Sequence, residues 1–457
     1  MNLEKRKKIH HFSLFYYFLK FVVGRWFKWY YRRFEADGLN NIPKGDPVIM
    51  AANHQNALMD ALAILFSLPG SIVFLARADI FKNRTQEKIL HRLKIMPVFR
   101  IRDGAENLSK NDETFDAALQ VLRDNHPLCL MPEGNHGDKR RLRPLVKGIF
   151  RIAFQTQEEL GESRKVRIVP VGVDYEHYQH IRKNLFVNFG PAIEVSDYME
   201  LYRENKARGM NALRDKLAEE LKKQMIHIGS EQYYDVYQEL RQYKTDWSTR
   251  EAGSASCRLK ARFERDKAFI DQLKIYEERE PAGMEKLAAS VRELAAILPE
   301  KKLRYWLLLR KPSGPLALLW RILLLMIAAP LFAVGFLLNF LPFWYAGKIV
   351  EGRKLKDIQF FSSFAFVLGF VLFNIFYLLL AIPVFIFSPV WYVGLIIMLS
   401  LPFLALIAYQ YYVFARKTMG VFRFMKLKRT GDPGLIRALE LWKNVRDTMY
   451  GIMLEKK

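Results

Sequence analysis

At 457 residues the chain has room for two or three domains. It carries 71 Lys+Arg against 47 Asp+Glu, a formal net charge of +24, which favours an anionic partner, either an acidic membrane surface or nucleic acid. No nucleic-acid recognition motif or zinc-ligand spacing accompanies that charge, and Cys129 and Cys257 alone supply neither a disulfide framework nor a cysteine metal site, which suits a cytosol-facing catalytic portion.

The N-terminus opens with Lys5, Arg6, Lys7 and Lys8, followed by an aromatic segment from Phe12 to Phe34. Lys20, Arg25, Lys28, Arg32 and Arg33 interrupt that segment, so residues 1–35 read as a helix lying in the membrane interface, not as a span. No small-residue cleavage site follows, which argues against a removed signal peptide.

Residues 36–230 read as one domain, in which about Gly38 to Glu194 alternates short strands with helices. Strands are predicted at Pro47–Ala52, Ser71–Ala76, Lys94–Ile101, Pro127–Met131, Val166–Val173 and Leu185–Phe189. Helices are predicted at Leu58–Leu68, Thr85–Leu93, Asn111–Arg123 and Val146–Gln157, and one long helix over Ser196–Gly229. That alternation predicts an α/β domain with a mostly parallel sheet flanked by helices. Ligands of such sheets bind beyond the carboxyl ends of the strands.

Three turns follow strands in this way. The first carries Asn53-His54 into the helix that starts at Leu58, with Asp60 six residues after His54. Six positions on one continuous helix are roughly 240° of rotation, so contact requires His54 on the turn and Asp60 in the first helical turn. An Asp that accepts a bond from one imidazole nitrogen leaves the other nitrogen as a base. The second turn, Phe99-Arg100-Ile101-Arg102-Asp103, has two arginines suited to holding a phosphate by charged forks. The third, Pro132-Glu133-Gly134-Asn135-His136-Gly137, is followed by Lys139, Arg140, Arg141 and Arg143.

Residues 231–314 are strongly charged and mostly helical, without recognisable chemistry, and read as a helical connector with solvated faces. Residues 315–457 form a C-terminal membrane region. Its apolar segments 315–345, 358–387 and 390–414 are each long enough to cross a hydrocarbon core of about 30 Å. Basic residues follow the first segment (Lys348, Arg353, Lys354, Lys356) and the third (Arg416, Lys417, Arg423, Lys426, Lys428, Arg429). Keeping both clusters cytoplasmic makes the second and third segments a hairpin. The first is then expected to be a helical hairpin or re-entrant element broken near Pro330, with a plain three-span arrangement ranked behind it. The catalytic domain is expected on the cytoplasmic face.

Four short strings in this order resemble the glycerolipid acyltransferase family, which includes glycerol-3-phosphate and 1-acylglycerol-3-phosphate acyltransferases. The resemblance covers roughly Gly38 to Val195. Asn53-His54…Asp60 is similar to the family's His–Asp block, and Pro97-Val98-Phe99-Arg100-Ile101-Arg102 to its acceptor-phosphate block. Pro132-Glu133-Gly134 and Val169-Pro170-Val171 resemble its Pro-Glu-Gly and Val-Pro blocks. Two departures stand out. Five residues separate His54 from Asp60 where the family commonly has four, and Asn135-His136-Gly137-Asp138 replaces Thr-Arg-Ser.

The resemblance implies that His54, oriented by Asp60, deprotonates an acceptor hydroxyl that attacks an acyl thioester directly. No G-x-S-x-G elbow suggests an acyl-serine. It also implies that Arg100 and Arg102 hold the acceptor phosphate and that Glu133 and Gly134 shape the acceptor site. Asn53, His136, Lys139, Arg140 and Arg143 are further candidate substrate contacts. No metal and no cofactor are implied, only acyl-coenzyme A or acyl carrier protein as donor. The implied partners are a phospholipid membrane, the thioester and a phosphorylated glycerol. Two alternatives stay open: transfer to another lipid, such as a lysophospholipid or ornithine-type lipid, and a non-catalytic lipid-binding protein. An intact base and orienter disfavour the latter.

Overall fold

The computed structural model describes residues 8–98, 110–251, 258–309, 314–352 and 359–454. One unit comprises Met1–His227 with Lys356–Ser363. Its first helix, α1 (Leu14–Tyr30), starts at Ser13, whose hydroxyl accepts the Tyr16 N–H. Tyr16, Gly24, Phe27 and Tyr30 are buried on one face, while Phe15, Phe18 and Phe21 remain exposed. There follow β1 (Arg33–Asp37), β2 (Val48–Ala52), α2 (Leu58–Ser67), β3 (Val73–Arg77), α3 (Arg84–Arg92), β4 (Ile95–Val98) and α4 (Lys110–Arg123). The unit continues with β5 (Leu128–Leu130), α5 (Gly148–Leu160), β6 (Arg167–Tyr175), β7 (Asn184–Phe189), β8 (Ile193–Glu194), α6 (Met199–Glu204) and α7 (Lys206–Gln224).

The strands form one sheet in the order β1-β7-β6-β2-β5-β3-β4, with β8 also on β6. Pairing is parallel except where β6 meets β7 and β8. The fold is therefore α/β, a mostly parallel sheet flanked by helices. Every residue of β2 is buried, as expected for a central strand covered on both faces. Ile49 and Ala51 pack with Val73, Leu128, Ile149, Ile168 and Leu217 in the main core. Proline is tolerated at two special places. Pro97 lies on the edge strand β4, where a missing N–H is harmless. Pro170 faces the β8-to-β7 crossover, where its carbonyl accepts the Gly190 N–H.

The predicted strands appear as β2 to β7, within two or three residues at their ends. The end predicted for β4, Phe99–Ile101, lies outside the described residues. β1 and β8 were not predicted. β1 is half-buried throughout, so it has no alternation to read. The single helix expected over 196–229 is corrected: a short 3-10 turn and α6 precede α7, and Asn205 separates them. Its side chain accepts the N–H groups of Ala207 and Arg208, so the residue that stops one helix caps the next.

The other unit comprises Ile228–Leu355 and Phe364–Lys457. α8 (Tyr234–Glu251), α9 (Leu259–Arg279) and α10 (Pro281–Glu300) pack with the C-terminal α14 (Pro433–Leu454). They bury Tyr237, Phe269, Leu294 and Trp442, together with an Arg241–Asp266 ion pair at 3.3 Å. The stretch read as a solvated connector is thus a helical core with α14 as a member.

To this unit also belong α11 (Pro315–Gly352), α13 (Trp391–Arg429) and, from Phe364 on, α12 (Phe360–Phe387), three helices long and apolar enough to cross a membrane. α11 and α13 are antiparallel: Arg321 reaches Thr418 at one level and Asn339 reaches Leu401 at another. A Cβ on Gly335 would stand 2.5 Å from the Leu404 carbonyl oxygen, so glycine sets this close approach. The expected break at Pro330 is corrected. α11 continues through both Pro330 and Pro342 as one 38-residue helix, about 57 Å long at 1.5 Å per residue. Both prolines lie within the stretch of α11 that packs along α13, where neighbouring groups compensate for the lost backbone bonds.

Candidate active site

β2 ends at Ala52, and the next five residues make a turn that folds back over the start of α2. Two features hold it. Asn53 is fully buried, and its amide takes the Val173 backbone from both sides, donating to the carbonyl at 3.2 Å and accepting the N–H at 2.7 Å. Ala57, just before α2, has a φ of +43°, a conformation that costs a non-glycine residue energy and recurs at functional turns.

Asp60 therefore occupies the third position of α2, where free helix N–H groups favour a carboxylate. Its Oδ2 lies 2.9 Å from His54 Nδ1 and accepts the N–H groups of Gln55 and Asn56, each at 2.8 Å. Oδ1 accepts the Tyr175 hydroxyl at 2.8 Å. Asp60 is fully buried, whereas the His54 side chain keeps 18% of its surface exposed. A buried carboxylate without partners would be strongly destabilising, and four donors offset that cost. With Nδ1 facing the carboxylate, Nε2 is the nitrogen presented for proton transfer.

The turn after β5 closes against this loop. Glu133 is buried, with Oε1 accepting the His54 N–H at 2.8 Å and Oε2 the Arg143 N–H at 3.0 Å. Burial raises its pKa to about 7, against the lowering effect of those two backbone bonds and the nearby His54. The His54 carbonyl accepts from Gly137 N at 2.9 Å, so the two turns are stitched in both directions. Gly134 has a φ of +65°, and an added Cβ would lie 2.9 Å from Val146 Cγ1.

The structure distributes the candidate residues unevenly. His54 and Asp60 come together as a pair. Asn53 and Glu133 both hold backbone groups, Asn53 at Val173 and Glu133 at His54 and Arg143. Arg140 is also buried, its guanidinium paired with Asp174, donating to the Tyr175 carbonyl and stacked over Tyr178; it braces the end of β6. His136 is buried with its ring centroid 5.6 Å from that of His54. Phe360, from the short segment counted with this unit, packs edge-on against His136 at 4.7 Å. Lys139 and Arg143 are exposed; Arg143 Nη1 donates to the His136 carbonyl, and the Lys139 carbonyl accepts from Gln55. Arg100 and Arg102 lie outside the described residues.

Sequence reasoning missed Tyr175, Gln55 and Arg77. Arg77 ends β3 on the same sheet edge and donates to Asn135 at 3.2 Å and to Asp79. Only its position at a strand end could have marked it.

A histidine paired with a buried carboxylate, at the carboxyl end of a central parallel strand, is an arrangement suited to activating a hydroxyl nucleophile. Residues 33–174 match the sequence model of the family described as Acyltransferase. The human 1-acyl-sn-glycerol-3-phosphate acyltransferase beta is 24% identical over 38% of this chain and 60% of its own length. The 1-acyl-sn-glycerol-3-phosphate acyltransferase of Borreliella burgdorferi is 26% identical over 40% of this chain and 70% of its own. A glycerol-3-phosphate O-acyltransferase of Saccharomyces cerevisiae is 26% identical over 30% of this chain but only 18% of its own. Among solved structures, the 1-acyl-sn-glycerophosphate acyltransferase of Thermotoga maritima aligns with 46% of this chain and 78% of its own, at 17% identity and a TM-score of 0.34. Residues 33–174 are thus similar to an acyltransferase domain, in a chain whose described residues include three helices long and apolar enough to span a membrane.

Proposed function

We propose that the chain is a membrane-bound O-acyltransferase that moves a fatty acyl group from a thioester to a hydroxyl of glycerol 3-phosphate or 1-acylglycerol 3-phosphate. The observation that carries this reading is the His54 Nδ1–Asp60 Oδ2 contact at 2.9 Å. His54 Nε2 takes the hydroxyl proton as the oxygen attacks the thioester carbonyl. The C–O bond forms, the C–S bond breaks, and the imidazolium returns the proton to the departing thiolate. Asp60 stabilises the imidazolium meanwhile. The activities for which the human, Borreliella and yeast relatives are named support a phosphorylated glycerol acceptor, which Arg100 and Arg102 would hold. The donor is acyl-coenzyme A or acyl carrier protein.

Membrane attachment has two parts in this reading. α11, α12 and α13 insert, and the exposed Phe15, Phe18 and Phe21 of α1 lie in the interface with neighbouring Lys28 and Arg25 near lipid phosphates. The basic end of α13, from Arg416 to Arg429, is cytoplasmic. The start of α11 lies beside that end through Arg321 and Thr418. With no candidate span before Pro315 among the described residues, the catalytic domain shares the cytoplasmic side.

The deciding experiment incubates the purified full chain, and a folded His54→Ala variant, with labelled acyl donors and a panel of acceptors. The panel holds glycerol 3-phosphate, 1-acylglycerol 3-phosphate, a lysophospholipid and an ornithine-type lipid. Transfer to a phosphorylated glycerol that His54→Ala abolishes supports the reading. Retention of most turnover by His54→Ala refutes the mechanism, and preference for an unphosphorylated acceptor refutes the substrate.

A further inference from the structure

The carboxylate of the pair has two sides. Oδ2 serves His54 and the turn, while Oδ1 receives the hydroxyl of Tyr175 at 2.8 Å. Tyr175 is the last residue of β6, the strand beside β2 in the sheet, and both Tyr175 and Asp60 are completely buried. We propose that Tyr175 is a positioning residue for acyl transfer: through Asp60 it sets the orientation and basicity of His54 without reaching the substrate itself. This rests on the reading of His54 as the general base.

The chemistry follows from what an O–H donor does to a carboxylate. A charge-assisted O–H···O bond fixes rotation of the carboxylate about its own axis, which keeps Oδ2 aimed at Nδ1. It also withdraws negative charge from the Oδ2 side, so the imidazolium formed in the reaction is held less tightly. Burial and the Asp60 charge both push the Tyr175 phenol well above its usual range, so it remains a donor throughout the working pH range. The surroundings are fixed. Tyr31 and Tyr178 pack at ring distances of 6.2 and 5.5 Å, and Arg140 is engaged by Asp174 and the Tyr175 carbonyl. Glu133 and His136 lie on the His54 side. If Tyr175 merely fills the core, phenylalanine would serve as well.

The test measures kcat/KM against pH, from 5 to 9, for the full chain in membranes with the donor and acceptor of the wild type. Tyr175→Phe is expected to lower kcat by about tenfold, the weight of one charged hydrogen bond. The acid limb of its profile should move upward by about half a pH unit. Replacing Tyr175 with 3-fluorotyrosine, a stronger donor of nearly the same size, should move that limb downward, and it reads out even if Tyr175→Phe fails to fold. In an Asp60→Asn background the Tyr175→Phe change should add little, because the two act through one bond. An unmoved acid limb in the fluorotyrosine enzyme, or wild-type kcat with only a lower thermal midpoint in Tyr175→Phe, overturns the proposal. If His54→Ala stays active, the general-base reading fails instead, and the two failures are told apart.

Discussion

Glu133→Gln tests how the two turns of the site are joined. Both carboxylate oxygens of Glu133 accept backbone N–H groups, from His54 at 2.8 Å and Arg143 at 3.0 Å. An amide of the same size can accept only one of them and presents its own N–H to the other. At least one hydrogen bond to a charged group is lost, worth about 1.5–3 kcal/mol, and one of the two donors is the backbone of His54, the proposed base. At pH 8 kcat/KM should therefore fall by about ten- to a hundredfold. The loss should depend on pH in a particular direction. Burial raises the Glu133 pKa from 4.5 to about 7, so near pH 6 the wild-type side chain is mostly protonated and carries a donor where the amide does. The ratio of wild-type to Glu133→Gln activity should shrink as pH falls from 8 to 6. The sign for folding runs the same way. Between about 4.5 and 7 the folded chain keeps a proton that the unfolded chain has released, so the contribution of Glu133 to stability declines as pH rises through that window. A constant ratio from pH 6 to 8, measured on protein that stays folded, would refute the bracing role.

Gly134→Ala should destabilise the domain by about 1–2 kcal/mol, from its left-handed backbone and the 2.9 Å approach to Val146; adding Val146→Ala should recover part of the loss in thermal unfolding. Replacing Arg100 or Arg102 with Ala should raise KM for a phosphorylated acceptor about ten- to a hundredfold and leave KM for the acyl donor nearly unchanged. Equal loss for both substrates would assign those arginines to general structure.

The sheet and the His–Asp pair were legible for different reasons. β2 and β6 are continuous apolar runs because both faces are covered, and β3, β5 and β7 are short apolar runs of the same kind, so each announces itself. Asp60 could be tied to His54 because a six-residue offset leaves only one geometry for contact, turn and first helical turn. The roles of the polar residues around them were not legible. Asn53, Glu133 and Arg140 sit among reactive-looking residues, but a side chain that clamps backbone has the same letter as one that binds substrate. Only the coordinates show that the Asn53 amide faces Val173 and that Arg140 faces Asp174. In the second unit, charge obscured a core. α9 and α10 bury Phe269 and Leu294 along narrow stripes, and their partner α14 lies more than a hundred residues away, beyond any local pattern. Pro330 misled for the converse reason: proline breaks an isolated helix, but α11 is packed along α13.

The longer spacing between His54 and Asp60 has a structural answer that bears on both turns. One more residue between a strand end and a fixed point on the next helix must be absorbed without moving either. Here Ala57 turns out of the usual backbone region, with a φ of +43°, and the N–H groups of Gln55 and Asn56 converge on Asp60 Oδ2. The turn thus supplies two backbone donors to the carboxylate paired with His54. The side chains of Gln55 and Asn56 are buried, Gln55 donating to the Lys139 carbonyl and Asn56 to the Tyr178 carbonyl. The loop following Pro132-Glu133-Gly134 and the segment after β6 are both tied to the His54 turn by these amides. The two departures from the family pattern, a longer first block and a changed sequence after Gly134, therefore meet in one set of hydrogen bonds. A chain with a shorter first block would lack at least one of these residues, and its neighbouring loop would need a different sequence to close against it.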